Sequence, residues 1–141
     1  MSQGGKIYGI DPWSSIESAQ GMEGIHKEWW EQVDHSAIYL KLAYKIKQFR
    51  LTDYAQLLRY SSKDAPEIYD IDLLHIDGNH SEETSLLDVM KWGPLVKSGG
   101  IIVFDDVNWV TTERAVKWLD DNCIRIANYH EICDWSVWIK P

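Results

Sequence analysis

Apolar positions along the chain follow two periods, and the order in which those periods appear predicts the fold. Ile71 to Ile76 (IDLLHI) and Ile101 to Phe104 (IIVF) are nearly continuous apolar runs of strand length, the pattern of parallel strands covered on both faces. Lys6 to Ile10 (KIYGI) is a shorter β-prone run, stopped at Pro12 because proline has no N–H to give a ladder. Tyr54 to Tyr60 (YAQLLRY) reads as a further strand ended by Ser61-Ser62. Helical spacing fills the intervals. Asp34 can cap a helix whose Ile38, Leu42, Ile46 and Phe49 form a stripe suited to lying on a sheet. A second helix starts near Ser81, with Glu82 and Glu83 in its first turn; Leu86, Leu87, Met90 and Leu95 point inward, and Lys97 with Gly99-Gly100 closes it. Thr111 to Asn122 forms a third around Ala115, Val116 and Leu119. Cys123 to Tyr129 and Cys133 to Ile139 read as a terminal antiparallel pair. The expected fold is α/β: a Rossmann-like, mostly parallel sheet with flanking helices and a C-terminal antiparallel pair, in a single domain over residues 1–141.

Composition narrows the partners. Acidic residues outnumber basic ones 22 to 14, a net charge of −8, which argues against nucleic acid because such affinity comes from neutralising phosphates. No apolar run of membrane-spanning length and no signal-peptide pattern occurs, so a cytoplasmic protein with no membrane contact is expected. Cys123 and Cys133 have neither CxxC nor zinc spacing and read as reduced thiols. Trp29, Trp30, Trp92, Trp118 and Trp138 fall inside periodic segments, where an indole supplies packing area.

Candidate chemistry gathers at strand ends. In open α/β sheets ligands bind beyond the carboxyl ends of the strands, and Asp11, Asp77, Asp105 and Asp106 all stand at such ends. Any one of them is explained as a strand terminator or cap. Together they put like charges where a cation or a proton would compensate. Asp77, Asp105 and Asp106 offer three oxygen ligands, a set suited to Mg²⁺ rather than zinc; spacing alone weighs that site and a structural role equally. His75, inside the strand, reads as a hydrogen-bonded core histidine. His80, at the strand mouth, can accept a proton near neutral pH or simply begin the helix. Trp13 and Trp109 can wall a pocket or pack.

Four segments carry a family resemblance: GKIYGIDPW (Gly5 to Trp13), IDLLHIDGNHSEE (Ile71 to Glu83), KWGPLVKSGG (Lys91 to Gly100) and IIVFDDVNW (Ile101 to Trp109). In this order they resemble class I S-adenosylmethionine (SAM)-dependent methyltransferases, in particular the branch with an IDGxHS motif and the metal-dependent small-molecule O-methyltransferases. The resemblance implies SAM as cofactor, with Asp11 on the ribose hydroxyls, Ser61 and Ser62 near the adenine, and Trp13 and Asp77 also at the cofactor. It implies Mg²⁺ on Asp77, Asp105 and Asp106, and a small-molecule substrate whose hydroxyl loses its proton to a base such as His80. Where some sugar O-methyltransferases have a carboxylate base, this chain has Asn79, which leaves either His80 as the substitute or the base missing.

The family's first strand and its E/DxGxxxG turn would precede GKIYGIDPW, where only Met1 to Gly4 stand. In the family's strand order, 3-2-1-4-5-7-6, that strand is the central one. The domain is therefore expected to be incomplete at its N-terminus, truncated before the second strand. Strands two and four are expected to pair directly, to borrow a strand from another copy in a homo-oligomer, or to belong to a longer protein. The alternative function is a catalytically inactive methyltransferase-fold remnant or interaction module that oligomerises through exposed sheet edges. A nucleotide- or NAD-binding Rossmann protein is disfavoured, because no GxGxxG follows a strand.

Overall fold

The computed structural model describes residues 4–131 and 134–141, which form two compact units, one ending at Ala65 and one starting at Pro66. In the first unit β1 (Ile7–Ile10) pairs in parallel with β2 (Ala55–Leu58), with Ile7 opposite Ala55 and Ile10 opposite Leu58. Between them run α1 (Ser15–Ala19), α2 (Gly24–Gln32) and α3 (His35–Gln48). Asp34 caps α3 as its position implies: its Oδ1 accepts from the Ala37 N–H at 2.9 Å. The apolar stripe of α3 is not covered, however. Ile38, Leu42 and Phe49 are 48%, 38% and 66% exposed, so the stripe marks the helix without finding a sheet to lie on. Trp29 is likewise exposed and meets Trp30 edge to face, ring centroids 4.7 Å apart.

The second unit is a four-stranded sheet in the order β3-β4-β6-β5, with β3 (Ile71–Ile76), β4 (Val96–Phe104), β5 (Ile124–Tyr129) and β6 (Trp135–Ile139). β3 and β4 are parallel, whereas β6 is antiparallel to both β4 and β5. The terminal antiparallel pair thus forms as expected; Cys133, at the start of its predicted second arm, lies outside the described residues. β1 and β3 belong to separate sheets, so they do not pair with each other.

One face of this sheet carries the core. Ile76, Ile102, Phe104 and Trp138 pack with Val89 of α4 (Glu82–Trp92) and with Ala115 and Leu119 of α5 (Glu113–Asn122). The inward face of α4 is Ser85, Asp88, Val89 and Trp92, a spacing of three and four. Met90, expected inside, is 53% exposed because it stands one residue past that face. β4 begins at Val96 rather than at Ile101, since α4 ends at Trp92 and a single 3₁₀ turn (Gly93–Leu95) leads straight into the strand. Gly100 permits the close approach there: a Cβ on it would stand 2.9 Å from the Ile71 carbonyl oxygen and 2.6 Å from Val96.

The opposite face is open, which corrects the expectation of strands covered on both sides. Leu73 is 61% and Ile101 37% exposed. Their continuous apolar run cannot reveal this, because both faces of β3 and β4 carry apolar residues.

Cys123 is a free thiol in the core, and burial pushes its pKa above the ordinary thiol value. Since the thiolate is the reactive form, Cys123 is expected to react with iodoacetamide at least about tenfold more slowly in the native protein than in urea. Mass spectrometry of the Cys123 peptide over a time course measures this; equal rates would refute it.

Candidate functional site

The site in the second unit grows from the register of β3 on β4. Leu74 lies opposite Ile102 and Ile76 opposite Phe104, and the Asp105 N–H continues the ladder onto the Ile76 carbonyl at 3.1 Å. Asp77 and Asp105 therefore leave adjacent strands side by side. Alternation along a strand puts residues two apart on one face, so His75 and Asp77 share the open face. One ligand atom from each of His75, Asp77 and Asp105 lies within 4.8 Å of the other two. His75 is exposed and stands beside two carboxylates, which corrects its reading as a core histidine. Asp105 Oδ1 is shut off from solvent and has no hydrogen-bond partner among the described residues, and such an atom is costly to bury without a compensating cation or donor.

Asp106 takes the other side. Its backbone is left-handed, φ 50°, a conformation Asp tolerates better than most residues. Its carbonyl is held by the Thr112 hydroxyl at 2.8 Å and by the Trp109 N–H at 3.2 Å. Its Oδ2 lies 3.1 Å from His80 Nε2. The His80 ring, whose side chain is 11% exposed, tilts against Trp109 with centroids 5.0 Å apart. Trp109 thus flanks the histidine, one of the two roles its position suggested. Burial raises the pKa of Asp106 above the usual carboxylate range; the His80 charge opposes that, while Asp105, Asp77 and Asp134 add to it. Asn79 serves the backbone instead: its Oδ1 accepts from the Ser81 N–H at 2.8 Å, fixing the entry to α4.

Asp134, unnoticed in the sequence, secures the loop. Its carbonyl takes the Val107 N–H at 2.9 Å, and its side chain binds His130 Nδ1 at 2.7 Å and the Asn108 amide. A lone Asp near the start of a predicted terminal strand carries no signal of this, because the contact is made with the loop that follows the neighbouring strand β4.

In the first unit Asp11 follows β1, its N–H on the Leu58 carbonyl at 3.2 Å, and its Oδ1 accepts from the Trp13 N–H. Trp13 is buried with φ 45° and meets Tyr39 edge to face at 5.0 Å. Positive φ is rare for so bulky a residue. The conformation is held from both ends of the residue, since Arg59 Nη2 also donates to its carbonyl at 3.4 Å. Ser61 follows β2, and its hydroxyl donates to Asp64 Oδ2 at 2.6 Å; Ser62 is its half-buried neighbour. The sequence-derived residues thus fall into two groups, Asp11, Trp13, Ser61 and Ser62 in one unit and Asp77, His80, Asp105 and Asp106 in the other.

Comparison with known proteins decides the family. A family model described as a methyltransferase domain matches residues 1–107. The chain belongs to the class I SAM-dependent methyltransferases. Among solved structures, the O-methyltransferase NovP superposes with a TM-score of 0.70 at 16% identity, over 96% of this chain and 60% of NovP. The TDP-rhamnose 3′-O-methyltransferase of calicheamicin biosynthesis matches with a TM-score of 0.55 at 18% identity, over 93% of this chain and 58% of its own. The N-methyltransferase NodS from Bradyrhizobium japonicum WM9 gives 0.58 at 11%, over 99% and 89%. The chain therefore spans about three-fifths of the length of the first two methyltransferases. No curated protein matches it. At these identities the likeness carries the fold: a mixed α/β methyltransferase fold with parallel strand pairs and flanking helices. Among the described residues, no helix is long and apolar enough to cross a membrane.

Proposed function

We propose that this chain is a SAM-dependent methyltransferase domain that methylates a hydroxyl group of a small molecule with the help of a divalent cation. The observation that carries the reading is the His80–Asp106 pair, 3.1 Å apart, beside Asp77 and Asp105 at the carboxyl ends of two adjacent parallel strands. Family membership supports it, as do NovP and the calicheamicin enzyme, both O-methyltransferases by name, and NodS, whose structure is described in complex with S-adenosylhomocysteine.

The residues fit a cation: Asp77 and Asp105 supply carboxylate oxygens, and Asp105 Oδ1 is buried without another partner among the described residues. When bound, SAM offers an electrophilic methyl group and a divalent cation lowers the pKa of a nearby hydroxyl. His80 takes that hydroxyl's proton. With Nε2–H donated to Asp106 Oδ2, Nδ1 keeps its lone pair for the incoming proton. Asp106 fixes this tautomer and then stabilises the imidazolium, as a buried carboxylate does in other histidine dyads. Trp109 holds the ring plane and keeps water from one side of it. Asp11, whose Oδ1 accepts from the Trp13 N–H, would hold the ribose hydroxyls, and Ser61 and Ser62 would border the adenine. Trp13 acts beneath them as the buried support of the Asp11 loop.

Isothermal titration tests the first step. SAM is expected to bind the full chain, and Asp11→Ala to weaken binding about 10- to 100-fold, the worth of a charged hydrogen bond. Absence of SAM binding, or an Asp11→Ala variant that binds as the parent does, would remove the reading.

A further inference from the structure

Resting on that reading, we infer that the third protein ligand of the cation is His75 rather than Asp106, and that the site therefore takes a nitrogen-accepting transition ion such as Mn²⁺ or Co²⁺ in preference to Mg²⁺. Three observations converge. First, His75, Asp77 and Asp105 place one nitrogen and two carboxylate oxygens all within 4.8 Å of one another. Ligands about 2.1 Å from a single ion stand at most about 4.2 Å apart, so modest side-chain rotation brings the three onto one ion. Second, the Asp105 carboxylate carries one oxygen, Oδ1, that is sealed from solvent and accepts no hydrogen bond among the described residues. Third, Asp106 stands outside this cluster, its Oδ2 3.1 Å from His80 Nε2.

The sheet explains the division. Leu73 and His75 of β3 and Ile101 and Val103 of β4 share the open face, and Asp77 and Asp105 follow them in the same alternation just past the strand ends, whereas Ile76, Ile102 and Phe104 turn to the core. His75 and Asp77 stand two residues apart at the end of a strand, and Asp105 continues the neighbouring strand beside them. Two carboxylates and one imidazole form a mixed donor set. Mg²⁺ prefers oxygen ligands throughout, while Mn²⁺ and Co²⁺ accept imidazole readily. The nitrogen of His75 is thus the selective element.

Calorimetric titration of the full chain with MnCl₂, CoCl₂ and MgCl₂, on the parent and on His75→Ala, Asp77→Asn and Asp106→Asn, tests this without any turnover. Mn²⁺ and Co²⁺ are expected to bind the parent at least about tenfold more tightly than Mg²⁺, and His75→Ala to erase most of that preference by weakening them about 10- to 100-fold. Asp77→Asn should weaken all three ions, and Asp106→Asn should leave Mn²⁺ affinity within about twofold. The visible absorption of bound Co²⁺ should lose intensity or shift in His75→Ala. His75 is exposed, so its replacement should leave the thermal midpoint unchanged. A His75→Ala variant that binds Mn²⁺ like the parent, or an Asp106→Asn variant that loses it, overturns the inference. SAM titration of the metal-free chain separates the failures: SAM binding with no ion bound overturns the metal assignment alone, whereas ion binding without SAM binding overturns the methyltransferase reading.

Discussion

His80→Ala is expected to slow methyl transfer by about 10²- to 10⁴-fold, the range for removing a general base, while SAM affinity stays within about twofold. The readout is S-adenosylhomocysteine release with a panel of hydroxyl acceptors, sugars and phenols among them, and calorimetry on the same preparations. The split is diagnostic because His80 contacts Asp106 and Trp109, whereas the residues proposed to hold SAM are Asp11, Ser61 and Ser62. Asp106→Asn should fall between parent and His80→Ala, since an amide can still touch Nε2 but cannot stabilise the imidazolium. Raising the pH should recover part of the His80→Ala loss, as more acceptor ionises without help. If His80→Ala turned over at the parental rate, His80 would be no more than the start of α4.

Trp138→Ala is expected to destabilise the second unit by about 3–5 kcal/mol, the cost of truncating a buried aromatic residue. Trp138 is fully buried, its Nε1–H donates to Asp120 Oδ1 at 2.9 Å, and the Arg125 guanidinium lies over its ring at 4.8 Å. Removing the indole therefore leaves a hole and also strips a donor from Asp120. Against a typical domain stability of about 5–15 kcal/mol, such a loss should bring the urea midpoint down sharply, followed by far-UV circular dichroism. Trp138→Phe should lose less, keeping most of the packing but not the N–H. A change below about 1 kcal/mol for the alanine variant would show that β6 is not central to this core.

The elements that proved legible were those with a purely local cause. Asp34 caps α3 because a short acceptor before a helical run has few other uses. The β3 and β4 runs and the β5–β6 pair likewise declared themselves through composition and turns. What stayed hidden depends on which side of an element meets a neighbour. In IDLLHI both faces are apolar, so nothing local says that Leu73 and His75 face outward. The inward face of α4 includes Ser85 and Asp88, polar residues that an apolar count passes over. Asp134 reaches the site from the residue just before β6. The acids at strand ends were visible, but how they divide was not, since Asp105 and Asp106 are the same letter twice.

That doubling is held in place by the core. A slip of β4 by one residue would carry Asp106 to the open face beside His75, and it would also turn Ile102 and Phe104 outward. The two aspartates are therefore not spares for each other. Their identities are exchangeable on paper and fixed in the molecule by hydrophobic side chains that touch neither. Drift in the lining of the core, rather than in the acids, is the route by which this edge would lose its division of labour.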